Sequence, residues 1–415
     1  MDVMIIGAGA SGLMCAYAAM KRGLSVLIIE KNEKAGKKIY ITGKGRGNLT
    51  NLSSQEEFLK HIVRNPKFLY SALANFSPED AMAFFEKQGV ALQVERGKRV
   101  FPQSGHASDI TKALLQSLSH PLVTIHYEET LLSIEKTEEG FFLTTTRGTY
   151  QTPSLVLATG GCSYSSTGST GDGYRFAEKL GHHITPLVGS LNALKMKKPF
   201  PYGLHNLSLK HVILTAKYEK KVFSEFGDLD FYPSSIEGPI ALKISTLINR
   251  FPPEKVSLEI NLKPALSEEQ LQERLIKEQQ KTSNQNYKDL LKTLLPLSFV
   301  SYFASFLHVK MEDSCRNMTT STRKEIIQRL HHFPLDYAGL DLLDRAIVTS
   351  GGVMVQEINS KTMESKLVPG LYFTGEIIDV DGMTGGYHLQ IAWSTGYAAG
   401  NAIADRIAPS KDLGK

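Results

Sequence analysis

The sequence has few cysteines and no long apolar run. Its three cysteines, Cys15, Cys162 and Cys315, lie far apart among 415 residues. Their number and spacing predict neither a disulfide framework nor a bound metal. No apolar stretch approaches the roughly 18 residues that span a bilayer, so we expect no membrane contact. The first residues also lack the basic leading segment of a signal peptide. A cytoplasmic location is the expectation that follows.

The overall composition is that of an ordinary globular protein. Hydrophobic residues make up 42% of the chain and charged residues 21%, which argues against disorder or a fibrous structure. A chain of 415 residues exceeds what one compact core usually organises, so two or three domains are expected. The net charge of +5 is too small to indicate a nucleic-acid partner without local clustering.

The start of the chain predicts a strand, a glycine-rich turn, a helix and a second strand. Val3 to Ile6 is a short apolar run, Leu13 to Arg22 has helical composition, and Ser25 to Glu30 is a second apolar run. That order is the βαβ unit of α/β proteins with a parallel sheet. Further helices are predicted over 56–89, 108–118, 267–308, 321–331 and 389–407, and short strands within 123–158, 207–218 and 256–262.

The first turn carries the spacing of a dinucleotide-binding fingerprint. Gly7 permits the tight turn, Gly9 lets the backbone approach a pyrophosphate, and Gly12 lets the helix pack against the strand. The phosphates are expected at the helix N-terminus, where free N–H groups and the helix dipole favour negative charge. Glu30 ends the second strand about 20 residues later, where an acid accepts hydrogen bonds from an adenosine ribose.

Two later segments favour FAD over NAD. Leu155–Gly161 is an apolar strand that ends in Ala-Thr-Gly-Gly, a pattern found in two-dinucleotide flavoproteins. Leu371–Glu376 is another strand, and it ends in a Gly-acid pair of the kind that holds the FAD ribityl chain in flavoproteins of this fold. No second GxGxxG follows a strand, so NAD(P)H is expected to bind transiently, as a reductant without a domain of its own.

Several longer motifs resemble one family, the BaiN/RdsA (YhiN-type) NAD(P)/FAD-dependent oxidoreductases. The stretch Gly36–Asn51 is similar to the family's Gly-x-Lys segment followed by Ser/Thr-Gly-x-Gly-Arg-Cys-Asn-x-Thr-Asn. The other matching segments are Arg99–Pro102, Gly168–Tyr174 and Thr362–Ser394. The resemblance covers nearly the whole chain and is densest at its two ends.

The expected architecture is α/β, with a discontinuous Rossmann-like FAD-binding domain of the two-dinucleotide type. The resemblance implies that the inserted region is β-barrel-like and then helical. The expected limits are 1–185 for the first part of the FAD domain, 186–265 for the β-rich insert, 266–344 for the helical subdomain and 345–415 for the second part of the FAD domain. Family members reduce carbon–carbon double bonds. One branch is similar to enzymes that make dihydrouridine in ribosomal RNA, and another to reductases of unsaturated steroid ketones.

Three positions depart from the family pattern. Gly47 stands where the family usually has cysteine, which removes a thiol from beside the expected flavin site. His388 stands where asparagine is usual, and Phe231–Pro239 matches the family's insert motif only in part. These changes leave the expected FAD fold intact and bear on the choice of substrate.

The candidate site residues come from the fingerprint, the glycine-rich loop, the later strand ends and the turn before the last helix. The cofactor-binding candidates are Gly7, Gly9, Ala10, Ser11, Gly12, Glu30, Lys31, Lys38, Thr42, Gly43, Gly45, Arg46, Asn48, Thr159, Gly160, Gly161, Gly375, Glu376, Asp379, Gly385, Gly386 and Tyr387. The catalytic candidates are His388, Tyr387 and Cys162, because an imidazole or a thiol can donate the proton that completes a double-bond reduction. A purely structural role is the alternative for each of these three catalytic candidates.

Three functions are open from the sequence. The first is a ribosomal RNA uridine reductase, the second a small-molecule ene-reductase or oxidase acting on a steroid ketone or an amine, and the third a flavin-binding, ribosome-associated factor without turnover. Arg96, Lys98 and Arg99 form a basic cluster that fits an RNA phosphate or a solvated turn equally. RNA use requires a continuous basic surface beside the flavin opening, whereas a small-molecule enzyme needs a closed apolar pocket.

Overall fold

The computed structural model describes residues 1–281 and 286–407 and divides the chain into two compact units. Unit 1 comprises Met1–Ser190 and the chain from Leu342 onward, and unit 2 is Leu191–Asp341. Each unit has its own buried apolar core. The division at 185, 265 and 344 stays a prediction, and its last segment extends to positions 408–415, outside the described residues.

Unit 1 is built on a five-stranded parallel sheet. In spatial order the strands are Leu371–Phe373, Ser154–Leu157, Val3–Ile6, Val26–Ile29 and Val123–His126. The first four are buried along their whole length, as is typical of parallel strands covered on both faces. The predicted α/β class with a Rossmann-like core is confirmed. The carboxyl ends of these strands share one edge, where ligands bind in such sheets.

Smaller sheets and eight helices complete the described part of unit 1. The antiparallel strands are Thr50–Asn51, Ile62–Arg64, Leu92–Glu95, Arg99–Pro102, Leu131–Thr137, Gly140–Thr145, Thr149–Thr152, Val188–Ser190, Val348–Ser350 and Asp381–Gly382. The helices are Ala10–Lys21, Lys37–Ile41, Gln55–Lys60, Tyr70–Asn75, Pro78–Lys87, Ser108–Ser117, Asp172–Lys179 and Tyr387–Ile407. Short 3₁₀ turns lie at Pro66–Leu69, Ser165–Thr167, Leu343–Arg345, Val355–Glu357 and Gly375–Ile377.

Two glycines let the last helix pack closely against the first. A Cβ atom at Gly396 would lie 2.3 Å from the carbonyl oxygen of Ser11, and one at Gly400 would lie 2.4 Å from that of Cys15. Both values are below any real Cβ contact, so larger residues at these positions would push the helices apart. The segment that follows the fingerprint turn is thereby held against the segment that follows Gly386.

Unit 2 holds a seven-stranded antiparallel sheet whose two edge strands are neighbours in the chain. In spatial order the strands are Phe333–Leu335, Val256–Asn261, Ser208–Tyr218, Lys221–Tyr232, Ser235–Glu237, Leu194–Met196 and Tyr337–Leu340. A single residue, Asp336, separates the two edge strands, so the sheet must curl until its edges approach each other. No ladder among the described residues joins those edges, and the curled sheet is an open barrel.

Helices cover this curled sheet and share its core. They are Pro239–Ile248, Glu268–Lys281, Tyr287–Lys292, Leu297–Ala304 and Thr320–His331, with 3₁₀ turns at Tyr202–Leu204, Pro253–Lys255 and Cys315–Asn317. Leu271 and Phe299 from the helices belong to one buried cluster with Leu258 and Ile260 of the sheet. Part of the helix predicted over 267–308 falls on positions 282–285, which lie outside the described residues.

Some predicted elements differ from the structure. The helical stretch predicted over 56–89 is interrupted by the strand Ile62–Arg64, because this segment pairs with Asp381–Gly382 far along the chain. The last helix begins at Tyr387, two residues earlier than predicted. The long strand Lys221–Tyr232 was missed, because apolar residues lie on both of its faces and include the exposed Val222 and Phe226, so its alternation is weak. No helix within 1–281 or 286–407 is long and apolar enough to cross a membrane.

Candidate functional site

The fingerprint turn has two glycines that packing requires and one that faces open space. A Cβ at Gly7 would lie 2.5 Å from the carbonyl oxygen of Ala158, and one at Gly12 would lie 2.0 Å from that of Gly7. Gly7 also has a φ of +107°, which favours glycine. A Cβ at Gly9, in contrast, would meet nothing within 4 Å. Gly9 therefore borders free space in front of the helix.

The beginning of the helix Ala10–Lys21 is suited to bind an anion. No side chain caps it at Gly9, so the N–H groups of Ala10 and Ser11 are free of a side-chain cap. Those groups and the helix dipole point into the open space beside Gly9. This cradle fits the pyrophosphate of a dinucleotide, as the sequence predicts.

Glu30 and Lys31 lie at the end of the second parallel strand and point to different partners. The Glu30 carboxylate is buried; Oε2 accepts a hydrogen bond from the Ala8 N–H at 2.8 Å, and Oε1 accepts from the Asn32 N–H at 2.8 Å. It is therefore held against the fingerprint turn. The Lys31 ammonium lies 2.8 Å from Oδ2 of Asp172, so this lysine forms an ion pair within the protein.

A buried polar cluster joins four segments near the ends of the parallel strands. We call Lys38, Ser163, Thr349 and Glu376 the Glu376 cluster. Nζ of Lys38 donates to Oε2 of Glu376 at 2.8 Å and to Oγ of Ser163 at 2.9 Å. Oε1 of Glu376 accepts from the Thr349 N–H at 2.8 Å and from the Ser163 hydroxyl at 3.2 Å. The cluster brings together the predicted residues Lys38 and Glu376.

The charge of Glu376 is set by these contacts. Burial raises the pKa of its carboxyl, but the Lys38 ammonium and the hydrogen bonds from Lys38 and Thr349 outweigh burial. The net pKa lies below the ordinary value, so Glu376 is ionised at neutral pH. His388 contributes to the lowering as well, which places its side chain within electrostatic range of Glu376.

The Ala-Thr-Gly-Gly turn packs directly against this cluster. A Cβ at Gly161 would lie 2.3 Å from Oγ1 of Thr349 and 2.7 Å from Oε1 of Glu376. Gly160 has a φ of +73°, and the Thr159 hydroxyl is buried without a hydrogen-bond partner. These residues bring the backbone close to Glu376 and leave no room for larger side chains.

Cys162 lies next to the cluster and is half-buried. Its backbone N–H donates to Oγ1 of Thr349 at 2.9 Å, and that hydroxyl lies 3.9 Å from the Cys162 sulfur. Burial raises the pKa of the thiol, and the hydrogen bond from Thr349 offsets this only in part, so the pKa stays above the ordinary value. The thiol is protonated at neutral pH.

The glycine-rich loop 42–47 follows a path of left-handed residues. Gly43, Lys44, Gly45 and Gly47 all have φ between +58° and +84°, a region open to glycine and costly for lysine. The Thr42 hydroxyl donates to the carbonyl oxygen of Lys38 at 3.3 Å. The loop is therefore tied to the helix that carries Lys38.

Position 47 faces the interior. A Cβ at Gly47 would lie 2.7 Å from Cδ1 of Ile110 and 2.9 Å from Cα of Ala107. Together with its φ of +75°, this means that the helix Ser108–Ser117 leaves no space for a cysteine. In this chain, the close approach of Ala107 and Ile110 explains why position 47 is glycine and not the cysteine that is usual in the family.

The loop is joined to the turn before the last helix through two asparagines. With its amide oxygen turned toward Gly386, Asn48 accepts from the Gly386 N–H at 2.9 Å. Nδ2 of Asn51 donates to the carbonyl oxygen of Gly385 at 3.0 Å. A Cβ at Gly386 would lie 2.3 Å from the carbonyl oxygen of Thr50. The structure thus brings the predicted residues Asn48, Gly385 and Gly386 into one tightly packed corner.

Tyr387 is part of the core. Its ring stacks on His61 with centroids 4.9 Å apart and meets the edge of Phe58 at 4.8 Å. Burial raises the pKa of its hydroxyl to about 12, even though a hydrogen bond with Ser53 lowers it. The phenol therefore stays protonated and packed.

His388 has a hydrogen-bond partner in either protonation state. Its Nε2 lies 3.1 Å from Oδ1 of Asp381 and 3.3 Å from the backbone nitrogen of Gly382. A protonated Nε2 donates to the Asp381 carboxylate, and an unprotonated one accepts from the Gly382 N–H. The side chain is 22% exposed, so a proton can reach it.

Two predicted ligands are bound by other side chains. Asp379 is buried and forms a bidentate ion pair with Arg64, in which Nη2 lies 2.6 Å from Oδ2. Nδ2 of Asn65 donates to the Asp379 carbonyl oxygen at 2.6 Å. The Arg46 guanidinium pairs with Glu95 and lies over the Phe101 ring, 4.4 Å from its centroid.

Several residues of this region were missed by the sequence reasoning. Ser163 directly follows Cys162, and a polar residue at the end of the Ala-Thr-Gly-Gly turn was a usable signal. Thr349 and Arg64 carry no motif. Thr349 contacts Ser163, 186 positions away, as well as Glu376, and Arg64 pairs with Asp379, 315 positions away. No group of three metal-ligating side chains forms among the residues that the structure describes.

Comparison with known proteins identifies the family. A family model described as the HI0933-like protein Rossmann domain matches residues 1–402.

The chain belongs to this family of flavin-dependent oxidoreductases.

The predicted resemblance to BaiN/RdsA flavoproteins is thereby confirmed. The chain is 34% identical over 399 residues to the ribosomal RNA dihydrouridine synthase of Escherichia coli, covering 96% of both chains. It is 29% identical over 407 residues to the 3-dehydro-bile acid delta(4,6)-reductase of Clostridium scindens, covering 97% of this chain and 98% of that one.

The fold is also similar to that of distant flavoenzymes. The structure of 3-ketosteroid delta1-dehydrogenase from Sterolibacterium denitrificans, in complex with 1,4-androstadiene-3,17-dione, superposes with a TM-score of 0.53. It shares 14% identity and covers 98% of this chain and 99% of that chain. At this identity the likeness concerns the fold. The fingerprint cradle and the family support FAD as the cofactor.

Proposed function

We propose that this family member reduces a uridine of ribosomal RNA to dihydrouridine, with FAD as its cofactor and NAD(P)H as its reductant. The observation that carries the proposal is the 34% identity, over 96% of both chains, to a ribosomal RNA dihydrouridine synthase. A ribosomal RNA substrate implies a cytoplasmic location.

The reaction adds a hydride and a proton across the C5–C6 double bond of the uracil ring. Reduced FAD, when bound, supplies the hydride at C6, and NAD(P)H restores the reduced flavin. The chain has to supply the binding cradle, the orientation and the proton for C5. We assign the pyrophosphate to the cradle at Gly9, Ala10 and Ser11, and the flavin ring to the corner formed by Asn48, Gly385 and Gly386. The last helix begins at Tyr387, so its N-terminus would favour negative charge on a flavin bound at this corner.

In this proposal the Glu376 cluster holds in place the chain segments that border the flavin site. Lys38 and Glu376 tie the glycine-rich loop to the turn that follows the last parallel strand. The two segments that border the proposed flavin site are thereby held at a constant separation. Lys38 and Glu376 act as positioning residues.

Of the three catalytic candidates, we assign the proton donor role to His388. Tyr387 is 4% exposed and packed between two aromatic rings, and the raised pKa of Cys162 disfavours repeated loss and gain of its proton. His388 is partly exposed, and both of its protonation states are satisfied by Asp381 or Gly382. A donor with those properties can be reprotonated between turnovers.

The experiment that tests the function is deletion of the gene followed by mapping of dihydrouridine across the ribosomal RNA of the host. We expect one site to lose its dihydrouridine and to regain it with the wild-type gene. A Glu376→Ala gene should fail to restore it while the protein is still made. An unchanged map in the deletion strain would disprove the proposal.

A second candidate function is reduction of a small unsaturated ketone. It is favoured by the 29% identity to a bile acid reductase over nearly the full length of both chains. An unchanged dihydrouridine map, combined with flavin reoxidation by an unsaturated steroid ketone in the purified holoenzyme, would favour this function. No reoxidation by such ketones would exclude it.

A further inference from the structure

An exposed group of cations surrounds the hairpin of the strands Leu92–Glu95 and Arg99–Pro102. We call this group the basic surface; its members are Lys44, Arg46, Arg96, Lys98 and Arg99, and all five are exposed. They come from two segments about 50 positions apart, which antiparallel pairing of Asn51 with Arg99 brings together. The basic surface lies within unit 1.

The carboxylates beside these cations do not neutralise them. Glu95 pairs with Arg46 and lies 3.8 Å from Arg99, and Glu57 pairs with Lys98. Two carboxylates thus face five cations. Lys44 and the Arg96 guanidinium have no hydrogen-bond or ion-pair partner within the described residues. An excess of positive charge at an exposed site favours an anionic partner.

The cations are held by a defined scaffold. The guanidinium carbons of Arg46 and Arg99 lie 4.4 Å and 5.7 Å from the centroid of the buried Phe101 ring. Nε of Arg99 donates to the carbonyl oxygen of Arg96 at 3.1 Å. Stacking and hydrogen bonding restrict these side chains, so less conformational entropy is lost when they bind a phosphate.

One side chain connects the basic surface to the proposed flavin corner. Nδ2 of Asn51 donates to the carbonyl oxygen of Gly97, at the tip of the hairpin, and to that of Gly385, each at 3.0 Å. The hairpin tip and the Gly385–Gly386 turn are therefore separated by the width of a single amide group. A chain of phosphates on the basic surface would pass directly beside that turn.

We infer that the basic surface binds the phosphates of a single-stranded RNA segment and so delivers one unstacked base to the flavin beside Gly385. The inference rests on the proposed function, since it takes the substrate to be RNA. A base can meet a flavin only when it is out of its helical stack, and single-stranded or looped RNA provides such bases at low cost. Backbone binding by fixed cations supplies affinity without reading sequence.

The test measures binding of a fluorescein-labelled oligouridine to the holoenzyme by anisotropy between 50 and 200 mM salt. The variant Arg96→Gln/Lys98→Gln removes two exposed cations. If each contacts a phosphate, the salt slope of the binding constant falls by about 1.4. Across this fourfold salt range the variant then loses roughly sevenfold less affinity than the wild type, and it binds more weakly at 50 mM.

The matched control is Lys112→Gln/Arg147→Gln, which removes the same charge from two exposed sites of unit 1 outside the basic surface. We expect its salt slope and affinity to equal those of the wild type. Equal slopes for wild type and Arg96→Gln/Lys98→Gln would overturn the inference, as would an equal loss in the control. Flavin reduction by NAD(P)H without RNA should be unchanged in both variants, which shows that they are folded.

Failure of RNA binding by the basic surface can be distinguished from failure of the proposed uridine reduction. A wild type that forms no dihydrouridine but binds oligouridine through Arg96 and Lys98 would disprove the proposed reaction and support the surface. A wild type that forms dihydrouridine while Arg96→Gln/Lys98→Gln binds RNA equally well would disprove the surface alone.

Discussion

The Lys38 ammonium lies 2.8 Å from Oε2 of Glu376, although 338 positions separate the two residues. Lys38 belongs to the helix that precedes the glycine-rich loop, and Glu376 follows the last strand of the parallel sheet. Both side chains are largely buried. The pair therefore closes unit 1 across its discontinuous halves and fixes both borders of the proposed flavin site.

Removing both charges of this pair should destabilise the protein by less than the sum of the two single losses. Glu376→Gln leaves the Lys38 ammonium without its carboxylate, and Lys38→Gln leaves the Glu376 carboxylate without its ammonium. We expect each to cost about 2 kcal/mol of unfolding free energy, and the double variant to cost less than the sum. Urea unfolding of all four proteins checks this. Additive losses would show that the pair is not coupled.

The two kinds of fingerprint glycine should separate folding from cofactor binding. Gly12→Ala places a Cβ 2.0 Å from the Gly7 carbonyl oxygen, so we expect it to lower the stability of the cofactor-free protein. Gly9→Ala places a Cβ in open space and should leave that stability unchanged while weakening FAD binding, because the methyl group occupies the cradle. Apoprotein unfolding and FAD titration by flavin fluorescence measure the two effects. Wild-type FAD affinity in Gly9→Ala would contradict the assigned cradle.

Loss of Arg64 should be costly because it leaves Asp379 buried without its cation. Asp379 is 2% exposed, and we expect Arg64→Met to cost about 3 kcal/mol of unfolding free energy. Arg64→Lys keeps the charge but not the bidentate geometry, and it should cost less.

The control for Arg64 is Arg22→Met, which breaks the exposed ion pair with Asp405. Exposed pairs of this kind contribute about 0.5 kcal/mol or less. Thermal unfolding of the three variants gives the comparison. Equal losses for Arg64→Met and Arg22→Met would contradict the assigned role of Arg64.

Asp172 should add stability that disappears in acid. Burial raises the pKa of its carboxyl, but hydrogen bonds and charge from Lys31, with Thr170 and Arg175, outweigh burial and lower it to about 2. Because the folded pKa lies below the unfolded value of about 3.9, the stabilisation is complete above pH 5 and is lost as the pH falls toward 2.

The comparison of wild type with Asp172→Asn measures that contribution. We expect a difference in unfolding free energy of about 1 kcal/mol at pH 7, since Asp172 is partly solvated. About half of it should remain at pH 3. Urea unfolding at several pH values checks this, and a difference that does not vary with pH would refute the assigned pairing.

His388→Asn restores the residue that is usual in the family and tests the assigned proton donor. Asparagine can hydrogen-bond to Asp381 or Gly382 but cannot transfer a proton. We expect slower dihydrouridine formation in single-turnover experiments, because the variant has no group at this position that can give a proton to the product. Flavin reduction by NAD(P)H should be unaffected. A wild-type rate of dihydrouridine formation would rule out His388 as the donor.

The sequence by itself determined the features that depend on neighbours in the chain. The spacing of Gly7, Gly9 and Gly12 after an apolar run predicted a strand, a tight turn and a helix, because the positive φ of Gly7 and the close approach of Gly12 to Gly7 are demands of the local backbone. Apolar runs predicted the parallel strands, and the long motifs predicted the flavoprotein family, which the comparisons confirm.

Only the tertiary structure decided which polar groups meet. The sequence placed Asp379 among the flavin ligands, but the structure pairs it with Arg64, 315 positions away. It also placed Asn51 within a motif without showing that one amide joins Gly97 to Gly385. Such contacts depend on the packing of the two halves of unit 1, and no spacing along the chain encodes them. The physical reason is that a buried polar group must find a partner wherever the fold brings one within reach.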